Sequence, residues 1–284
     1  MCAEMQDFSG DLGDGMTNVS AAPQTGPSGA PPPCKLSIVM PVRNDGINVA
    51  TIAKVVNALI ETPHEILVVH DTPDDDCIEI VGQLQKAFDN ISRIHNQRGR
   101  GVVNAITSGT EVARGEYIMI LTADDIGPVV VLDRMVRIMD TGCQFLSVTR
   151  YSKGGKCFGG SQIARFLSRL ANWTFQILST SALSDCTVGL KMYRRDVFPL
   201  FQLSQQHTGW SFALEMSIKA QLMNLRFGEV PVVSLNRIFD NGESSFNAWA
   251  WVKTYLRWYF YGVRKLHLLR WPRPKPMKIQ LAAR

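Results

Sequence analysis

The sequence lacks paired cysteines, long apolar runs and an apolar segment at its N-terminus. Its six cysteines are scattered over 284 residues without a Cys-x-x-Cys pair, a pattern typical of buried thiols in a reducing compartment rather than of a disulfide framework or a zinc site. No run reaches the ~20 uninterrupted apolar residues that a spanning helix needs, and nothing resembles the apolar core of a signal peptide. These absences predict a cytoplasmic location, either free or peripheral on the cytosolic face of a membrane.

Each end of the chain lacks charge of one sign. Residues 1–33 contain four acids and no Lys or Arg, whereas residues 247–284 contain nine basic residues and no acid. A basic end favours an anionic partner, such as lipid headgroups or nucleic acid, although a solvated tail has the same composition. Because no nucleic-acid-binding motif is present, we expect no nucleic-acid partner.

Three segments can be separated by composition. Residues 1–34 are rich in Gly, Pro, Ser and Ala and are predicted to be disordered, since such a segment buries too little apolar surface to offset the entropy of ordering. Residues 35–245 alternate short apolar runs with stretches of helical spacing, which predicts an α/β domain with a mostly parallel central sheet flanked by helices. Residues 246–284 are predicted to form an amphipathic, basic and aromatic C-terminal helix and tail.

The predicted strands end in polar residues. Strands are expected at 36–40, where Pro41 stops the run, at 65–69 and at 117–121, with helices at 47–60 and 76–88. Ligands of parallel sheets bind beyond the carboxyl ends of the strands. In this chain those positions carry Arg43-Asn44-Asp45, Asp71 with Asp74-Asp75-Asp76, and Asp124-Asp125. Three acidic clusters at three strand ends indicate a ligand site rather than solvated turns alone.

A glycine-rich stretch, Arg98-Gly99-Arg100-Gly101, precedes the strand at 117–121 and is followed by small residues at 105, 109, 113 and 115. Small residues four apart let a helix approach a sheet or a ligand closely. No Gly-Lys-Ser/Thr follows, so the stretch is not a Walker phosphate loop. It also does not follow the first strand, as a dinucleotide fingerprint would.

Taken in order, these motifs resemble the family 2 glycosyltransferases of GT-A fold, particularly the dolichyl- and polyprenyl-phosphate sugar transferases. The resemblance covers about residues 35–245, and its strength lies in eight segments that follow the family's order. They are Ser37–Asp45, Val68–Asp74, Gly99–Asp124, Thr149–Tyr151, Ser168–Asn172, Asp185–Arg195, Gly209–Met216 and Arg237–Ser245.

The resemblance implies a GT-A (Rossmann-like) nucleotide-diphospho-sugar transferase fold and three groups of site residues. Nucleotide-sugar binding falls on Pro41, Arg43, Asp45, Asp71, Gly101 and Asp124. Binding of Mg²⁺ or Mn²⁺ falls on Asp124, with Asp125 as a helper. Binding of the acceptor phosphate falls on Arg150, Arg169 and Arg237, with Arg165 added because it lies one helical turn before Arg169. Asp124 and Arg169 are the expected catalytic residues.

Each assignment has a plainer alternative. Asp124 and Asp125 would also suit a polar turn or a helix cap, and Asp45 would suit the N-cap of the following helix. Arginines on a helix are most often solvated. Guanidinium groups do, however, match phosphate oxygens in pairs, and the resemblance favours the phosphate interpretation.

The implied reaction moves a sugar from a nucleotide-diphospho-sugar to a membrane lipid acceptor, polyprenyl phosphate of the dolichyl or undecaprenyl type. A phosphate is already an anion and needs no general base, so positioning and charge neutralisation would suffice for one inverting displacement. One alternative is a transferase that acts on a sugar hydroxyl, for which Glu215 is a possible base. Another is a degenerate, non-catalytic binding protein.

The chain departs from the family pattern at several points. His70 replaces the first Asp of the second motif, and Thr122 replaces the first acid of the Asp-x-Asp metal motif. The segment that begins at Arg237 is two residues longer than the family's and lacks its Lys. These departures bear on metal affinity and on the grip on phosphate.

The last predicted helix, residues 246–271, is amphipathic. At 100° per residue, one face collects Trp251, Tyr255, Trp258, Tyr259, Leu266 and Leu269, while Lys253, Arg257 and Arg264 lie opposite. Such a division fits a helix that lies in a membrane interface. A helix that docks its aromatic face on the catalytic domain is the alternative.

Overall fold

The computed structural model describes residues 34–159, 161–205, 207, 209–235 and 248–268. Three predictions concern residues outside this range: the disorder of residues 1–34, of which only Cys34 is described, the site residue Arg237, and Leu269 of the last helix. The proposed boundaries between the three segments therefore stay predictions.

The first half of the described chain alternates strands and helices. Its elements are β1 (Leu36–Val42), α1 (Gly46–Leu59), β2 (His64–His70), α2 (Cys77–Leu84), β3 (Ile91–His95), α3 (Val102–Val112), β4 (Tyr117–Ile120) and α4 (Leu132–Asp140). β1 pairs in parallel with both β2 and β4, and β2 pairs in parallel with β3. The predicted α/β architecture is confirmed.

The second half adds strands and three long helices. Its elements are β5 (Phe145–Thr149), β6 (Lys156–Phe158), α5 (Gln162–Ser179), β7 (Lys191–Arg194), α6 (Phe198–Phe201), α7 (Phe212–Leu222), β8 (Phe227–Pro231), β9 (Val233–Leu235) and α8 (Ala248–Leu268). The described residues form a seven-stranded sheet in the order β3-β2-β1-β4-β7-β5-β8, with β7 antiparallel to both neighbours, and a separate β6-β9 pair.

Two details of the sheet differ from the sequence prediction. β1 runs through Pro41, which pairs with Val69, and ends at Val42. β3 was not predicted, because its segment mixes apolar residues with exposed Arg93 and His95 and pairs on one side only, with β2. An edge strand of this kind carries a weak apolar signal.

The helix α3 lies close to the sheet because of its glycine. A Cβ on Gly109 would come within 2.5 Å of Val39 Cγ1 on β1. The small residues of this segment therefore serve close packing of helix on sheet, one of the two uses expected from the sequence.

The helix α8 docks its aromatic face on the domain. Tyr255, Trp258, Tyr259 and Leu266 pack against the core cluster that includes Phe175 and Ile218, and Tyr259 lies edge-on to Phe175 at 5.3 Å between ring centroids. For this face the structure therefore shows the alternative arrangement, in which the helix docks on the catalytic domain. No helix among the described residues is long and apolar enough to cross a membrane.

Candidate functional site

The carboxyl ends of β2, β1 and β4 lie side by side in the sheet order. Parallel neighbours are spaced about 4.8 Å apart, so the residues that follow these three strands meet at one edge. Asp71 follows β2, Arg43 and Asp45 follow β1, and Asp124 follows β4. We refer to this group as the acidic edge.

Asp71 fixes the glycine-rich loop before α3. Its Oδ1 accepts a hydrogen bond from the Asn96 amide at 2.7 Å, and its Oδ2 accepts one from the Gly101 backbone N–H at 3.1 Å. Gly101 has φ of 139°, a conformation that favours glycine. The structure thus brings together two residues that were predicted to bind the nucleotide sugar, and Asn96 joins them.

The turn after β1 is held by the acids that precede α2. Asn44 has a positive φ of 51°, which Asn tolerates better than most residues. Its N–H donates to Asp75 at 3.1 Å, and the Gly46 N–H donates to Asp76 at 3.1 Å. These bonds leave Arg43 exposed and hold Asp45 at the acidic edge.

Asp45 lies in a negative environment. Burial raises the pKa of its carboxyl most, the charges of Asp124, Asp76 and Asp75 raise it further, and a hydrogen bond from the Asn48 amide at 2.6 Å opposes the rise. Asp45 occupies the N-cap position of α1, as the alternative predicted, but its side chain caps no backbone N–H of that helix. A carboxylate crowded by other carboxylates favours a bound cation.

Asp124 and Asp125 point to different partners. Asp125 is 3% exposed, and its oxygens accept hydrogen bonds from Gly127 N–H at 3.0 Å, Leu235 N–H at 2.9 Å and Ser234 Oγ at 2.5 Å. It therefore ties β9 to the end of β4. Asp124 is half-buried and makes no hydrogen bond or ion pair with another described residue. The carboxylate available to a metal is that of Asp124, and a ligand role for Asp125 stays a prediction.

A second group with metal-ligating atoms lies at the start of α2. Ligand atoms of Asp75, Asp76 and Cys77 lie within 4.8 Å of one another, beside an open cleft of about 470 Å³. Both oxygens of Asp75 already accept backbone N–H groups, from Asn44 and Cys77. Burial also raises the pKa of the Cys77 thiol, which disfavours the thiolate that binds metal. The carboxylates of this group therefore stabilise the turn after β1.

The acceptor side centres on a buried ion pair. The Arg150 guanidinium donates to both oxygens of Asp185, at 2.7 and 3.1 Å, and Asp185 is fully buried. Burial alone would raise the pKa of Asp185, but the charge and hydrogen bonds of Arg150 lower it. The two side chains join β5 to the loop before β7. Arg150, a predicted phosphate ligand, is therefore already engaged on one side by a carboxylate.

The other predicted arginines have different surroundings. Arg165 Nη1 donates to the Cys157 carbonyl at 2.9 Å, which ties the start of α5 to β6. Arg169 lies on α5, is exposed, and makes no hydrogen bond or ion pair with another described residue. Arg237 lies outside the described residues. Arg169 is thus the predicted ligand that the structure shows available to a phosphate.

Four further residues surround this side and were not among the predicted site residues: Asn172, Asp185, Lys191 and Glu229. The Asn172 side chain accepts from the Cys186 N–H and donates to Thr187 Oγ1, both at 2.8 Å. Glu229 accepts from the N–H groups of Ser184 and Asp185. Lys191 is completely buried and donates to two serine hydroxyls, those of Ser147 and Ser217. Asn172, Asp185 and Lys191 lie inside motifs of the resemblance, which was the available signal, whereas Glu229 lies outside all of them.

Glu215 is not placed to act as a base. Its side chain is completely buried, and its oxygens contact His207, Lys219 and the Ser204 N–H. Three donors hold this one carboxylate between α7 and the segment before it. This arrangement leaves no open position for a substrate hydroxyl, so it gives the hydroxyl-acceptor alternative no support.

The chain resembles known proteins in sequence. Residues 37–200 match the family model described as glycosyl transferase family 2. An undecaprenyl-phosphate 4-deoxy-4-formamido-L-arabinose transferase from Klebsiella pneumoniae is 24% identical over 220 residues, which are 76% of this chain and 64% of the relative. A protein of the same name from Salmonella paratyphi A is 26% identical over 221 residues. The chain therefore spans less than two thirds of the length of these relatives.

Solved structures share the fold at low sequence identity. Glucosyl-3-phosphoglycerate synthase from Mycobacterium tuberculosis, in complex with Mn²⁺, UDP and phosphoglyceric acid, matches with a TM-score of 0.62 and 12% identity over 81% of this chain and 78% of its own. A mannosyltransferase from Pyrobaculum calidifontis, in complex with GDP-Man and Mn²⁺, matches with a TM-score of 0.57 and 13% identity over 81% and 64%. These matches confirm the GT-A fold.

Proposed function

The chain belongs to glycosyl transferase family 2, and we propose that it transfers a sugar from a nucleotide-diphospho-sugar to a polyprenyl phosphate at the cytosolic face of a membrane. The observation that carries the proposal is the separation of charge in the site. At the acidic edge, Asp45 interacts with the charges of Asp124, Asp76 and Asp75. Arg150 and Arg169 lie on the other side, with the motifs that resemble the family's acceptor segments.

The acidic edge suits the donor. A divalent cation, Mg²⁺ or Mn²⁺, would be held by Asp124 with help from Asp45, and it would neutralise the diphosphate as the sugar leaves. The structural neighbours that were solved with Mn²⁺ and a nucleotide support this cofactor. Asp71 keeps the Gly99–Gly101 loop beside the nucleoside end of the same edge, and the exposed Arg43 adds a cation near the phosphates.

The cationic side suits an acceptor that is already an anion. Arg169 has no partner in the described part of the chain, so its guanidinium can form paired hydrogen bonds with phosphate oxygens. Arg150 keeps a fixed orientation because Asp185 holds two of its N–H groups. The acceptor oxygen then attacks without proton removal, so these residues act by positioning the phosphate and by balancing its charge. Attack on the face opposite the leaving diphosphate inverts the anomeric carbon.

The test is a donor and acceptor screen. GDP- and UDP-sugars are incubated with the protein, a short-chain polyprenyl phosphate and Mg²⁺ or Mn²⁺, and product lipid is measured by mass spectrometry. We expect sugar-phosphate-lipid from at least one donor, and less of it with chelator. Transfer to the matched polyprenol but not to its phosphate would contradict the proposal.

The Arg169→Ala variant separates the phosphate acceptor from a hydroxyl acceptor. If Arg169 binds the acceptor phosphate, the variant loses transfer to polyprenyl phosphate far more than it loses slow hydrolysis of the donor by water. Arg93→Ala, on the exposed edge strand β3, is the control. Equal losses in the two reactions would place Arg169 on the donor side or in the scaffold.

A further inference from the structure

The outward face of α5 is apolar and largely exposed. Ile163, Phe166, Leu167, Leu170, Trp173 and Ile177 are each between 41% and 73% exposed. At 100° per residue they fall within an arc of about 120° along a helix roughly 27 Å long. We call these six residues the α5 surface. Val130 and Leu200 are equally exposed but lie outside this stripe, and α8 carries a shorter exposed row of Val252, Leu256 and Phe260.

The opposite face of α5 holds the helix firmly in place. Asn172, Phe175 and Ser179 are buried there, and Ser168 Oγ accepts a hydrogen bond from Tyr151 at 2.9 Å. Thr174, which falls within the arc of the α5 surface, accepts a hydrogen bond from Tyr259 of α8. The outward face is therefore not exposed because the helix is loosely packed. A contiguous apolar stripe on a well-fixed helix marks an interaction surface.

Positive charge accompanies the α5 surface. From Tyr151 to Ser184 the chain has Lys153, Lys156, Arg165 and Arg169 and no Asp or Glu. Both lysines and Arg169 are exposed. The small β6-β9 pair, which Arg165 ties to the start of α5, adds the half-exposed Phe158. Apolar side chains flanked by cations without a single acid match the interface of an anionic bilayer.

We infer that the α5 surface binds the anionic surface of a lipid bilayer and inserts its apolar side chains among the headgroups. The purpose of this contact rests on the proposed function. The inner face of the same helix carries Asn172, which contacts the loop that holds Asp185 and Thr187 on the acceptor side. Docking through α5 places Arg169 at headgroup depth, where a lipid phosphate lies. The bilayer contact that the sequence suggested for the last helix is thus assigned to α5 instead of the aromatic face of α8.

A second copy of the chain fits this surface less well. Stacking two α5 surfaces would bring their arginines and lysines together, and the segment offers no carboxylate to pair with them. Like charges that face each other across a contact destabilise it. An anionic bilayer supplies the missing negative charge.

The test uses vesicles that contain no polyprenyl phosphate and no nucleotide, so that docking is measured apart from transfer. The full chain is floated with vesicles of 70% phosphatidylcholine and 30% phosphatidylglycerol. We expect binding that weakens with salt but persists in part, and a loss of roughly tenfold or more in the Phe166→Ser, Leu167→Ser variant. The Val130→Ser, Leu200→Ser variant, which removes equally exposed apolar groups elsewhere, should bind like the parent.

Other variants separate the competing surfaces. The double variant Leu256→Ser, Phe260→Ser (the α8 pair) alters the exposed face of α8. It should reduce binding less than Phe166→Ser, Leu167→Ser (the α5 pair). If the α8 pair abolishes flotation while the α5 pair leaves it unchanged, the inference is overturned. It is also overturned if the parent does not float, or if the α5 pair only converts a dimer to a monomer in sedimentation equilibrium.

Two measurements show that a loss is specific. The α5 pair should keep the melting temperature of the parent, since both side chains are exposed. Brominated lipid should quench the tryptophan fluorescence of the parent more than that of the Trp173→Phe variant. Equal quenching in the two proteins would count against insertion of α5. Transfer in solution to a short, water-soluble polyprenyl phosphate should survive in the α5 pair. Failure of all transfer with intact docking would instead contradict only the proposed function.

Discussion

At the acidic edge, burial and the charges of neighbouring carboxylates raise the pKa of Asp45, whereas on the acceptor side the buried Asp185 has Arg150 as its partner. Both regions gather charge from segments distant in sequence. The first leaves Asp124 without a protein partner among the described residues, and the second satisfies its buried carboxylate within the protein. The difference separates a region that awaits a cation from one that is already assembled before any ligand arrives.

The assembled region gives the largest expected effect on stability. Asp185→Ala leaves the guanidinium of Arg150 buried without its partner, which should lower the free energy of unfolding by about 3–5 kcal/mol. Urea denaturation at pH 7 measures it. Asp196→Ala breaks an exposed pair with Arg194 and should cost less than ~1 kcal/mol. Similar losses in both variants would contradict the comparison.

The same pair has a pH signature. Because the folded-state pKa of Asp185 is lowered from 3.8, its stabilising contribution is present above the unfolded value and is lost as pH falls through the folded value. The stability difference between the parent and Asp185→Ala should therefore shrink only in acid, below about pH 4. A difference that shrinks already between pH 7 and 5 would point to another group.

The acidic edge gives the largest expected effect on catalysis. Asp124→Asn should reduce transfer by roughly a hundredfold or more, since its carboxylate is the available metal ligand, and should leave the melting temperature unchanged. Transfer rates over a Mn²⁺ titration measure it, with the exposed Asp89→Asn as control. Turnover close to that of the parent at saturating Mn²⁺ would remove Asp124 from the metal site.

Asp71 tests the nucleoside end of the acidic edge. Asp71→Ala removes the acceptor for both Asn96 and Gly101 N–H, and the loosened loop should raise the donor KM by about tenfold with a small change in kcat. Asp71→Asn keeps one acceptor oxygen and should show a milder increase. Unchanged donor affinity of Asp71→Ala in calorimetry would contradict the assignment.

Lys191 gives the smallest expected effect. Burial lowers its pKa to about 8, so the unfolded chain binds more protons between pH 8 and 10.5, and this residue makes stability rise with pH across that window. Lys191→Met should therefore cost little at pH 7 and should lack this contribution at higher pH. The difference between the two unfolding curves isolates Lys191 from the cysteines and tyrosines that also titrate there. Parallel curves would contradict the direction of the shift.

The sequence predicted the local pattern of the acidic edge well. β-branched runs set β1, β2 and β4, and a parallel sheet places the polar residues that follow such strands at one edge whatever the details of packing. Asp45, Asp71 and Asp124 were found in this way. The strand β3 was missed because its alternation of Ser92, Arg93 and Ile94 gives a weak signal in an edge strand.

What the sequence by itself determined is the fold class, the family and the identity of the acids and arginines near the site, because these depend on periodicity and on motifs of adjacent residues. Only the tertiary structure decided which of these charges have partners within the protein: Arg150 is paired with Asp185 and Asp125 is bonded to β9. Asp124 and Arg169 have no such partner among the described residues. It also decided that α8 turns its aromatic face inward and that α5 turns its apolar face outward. The amphipathic helices α5 and α8 have similar patterns in sequence. Which face of each helix is covered depends on what the rest of the chain packs against that helix.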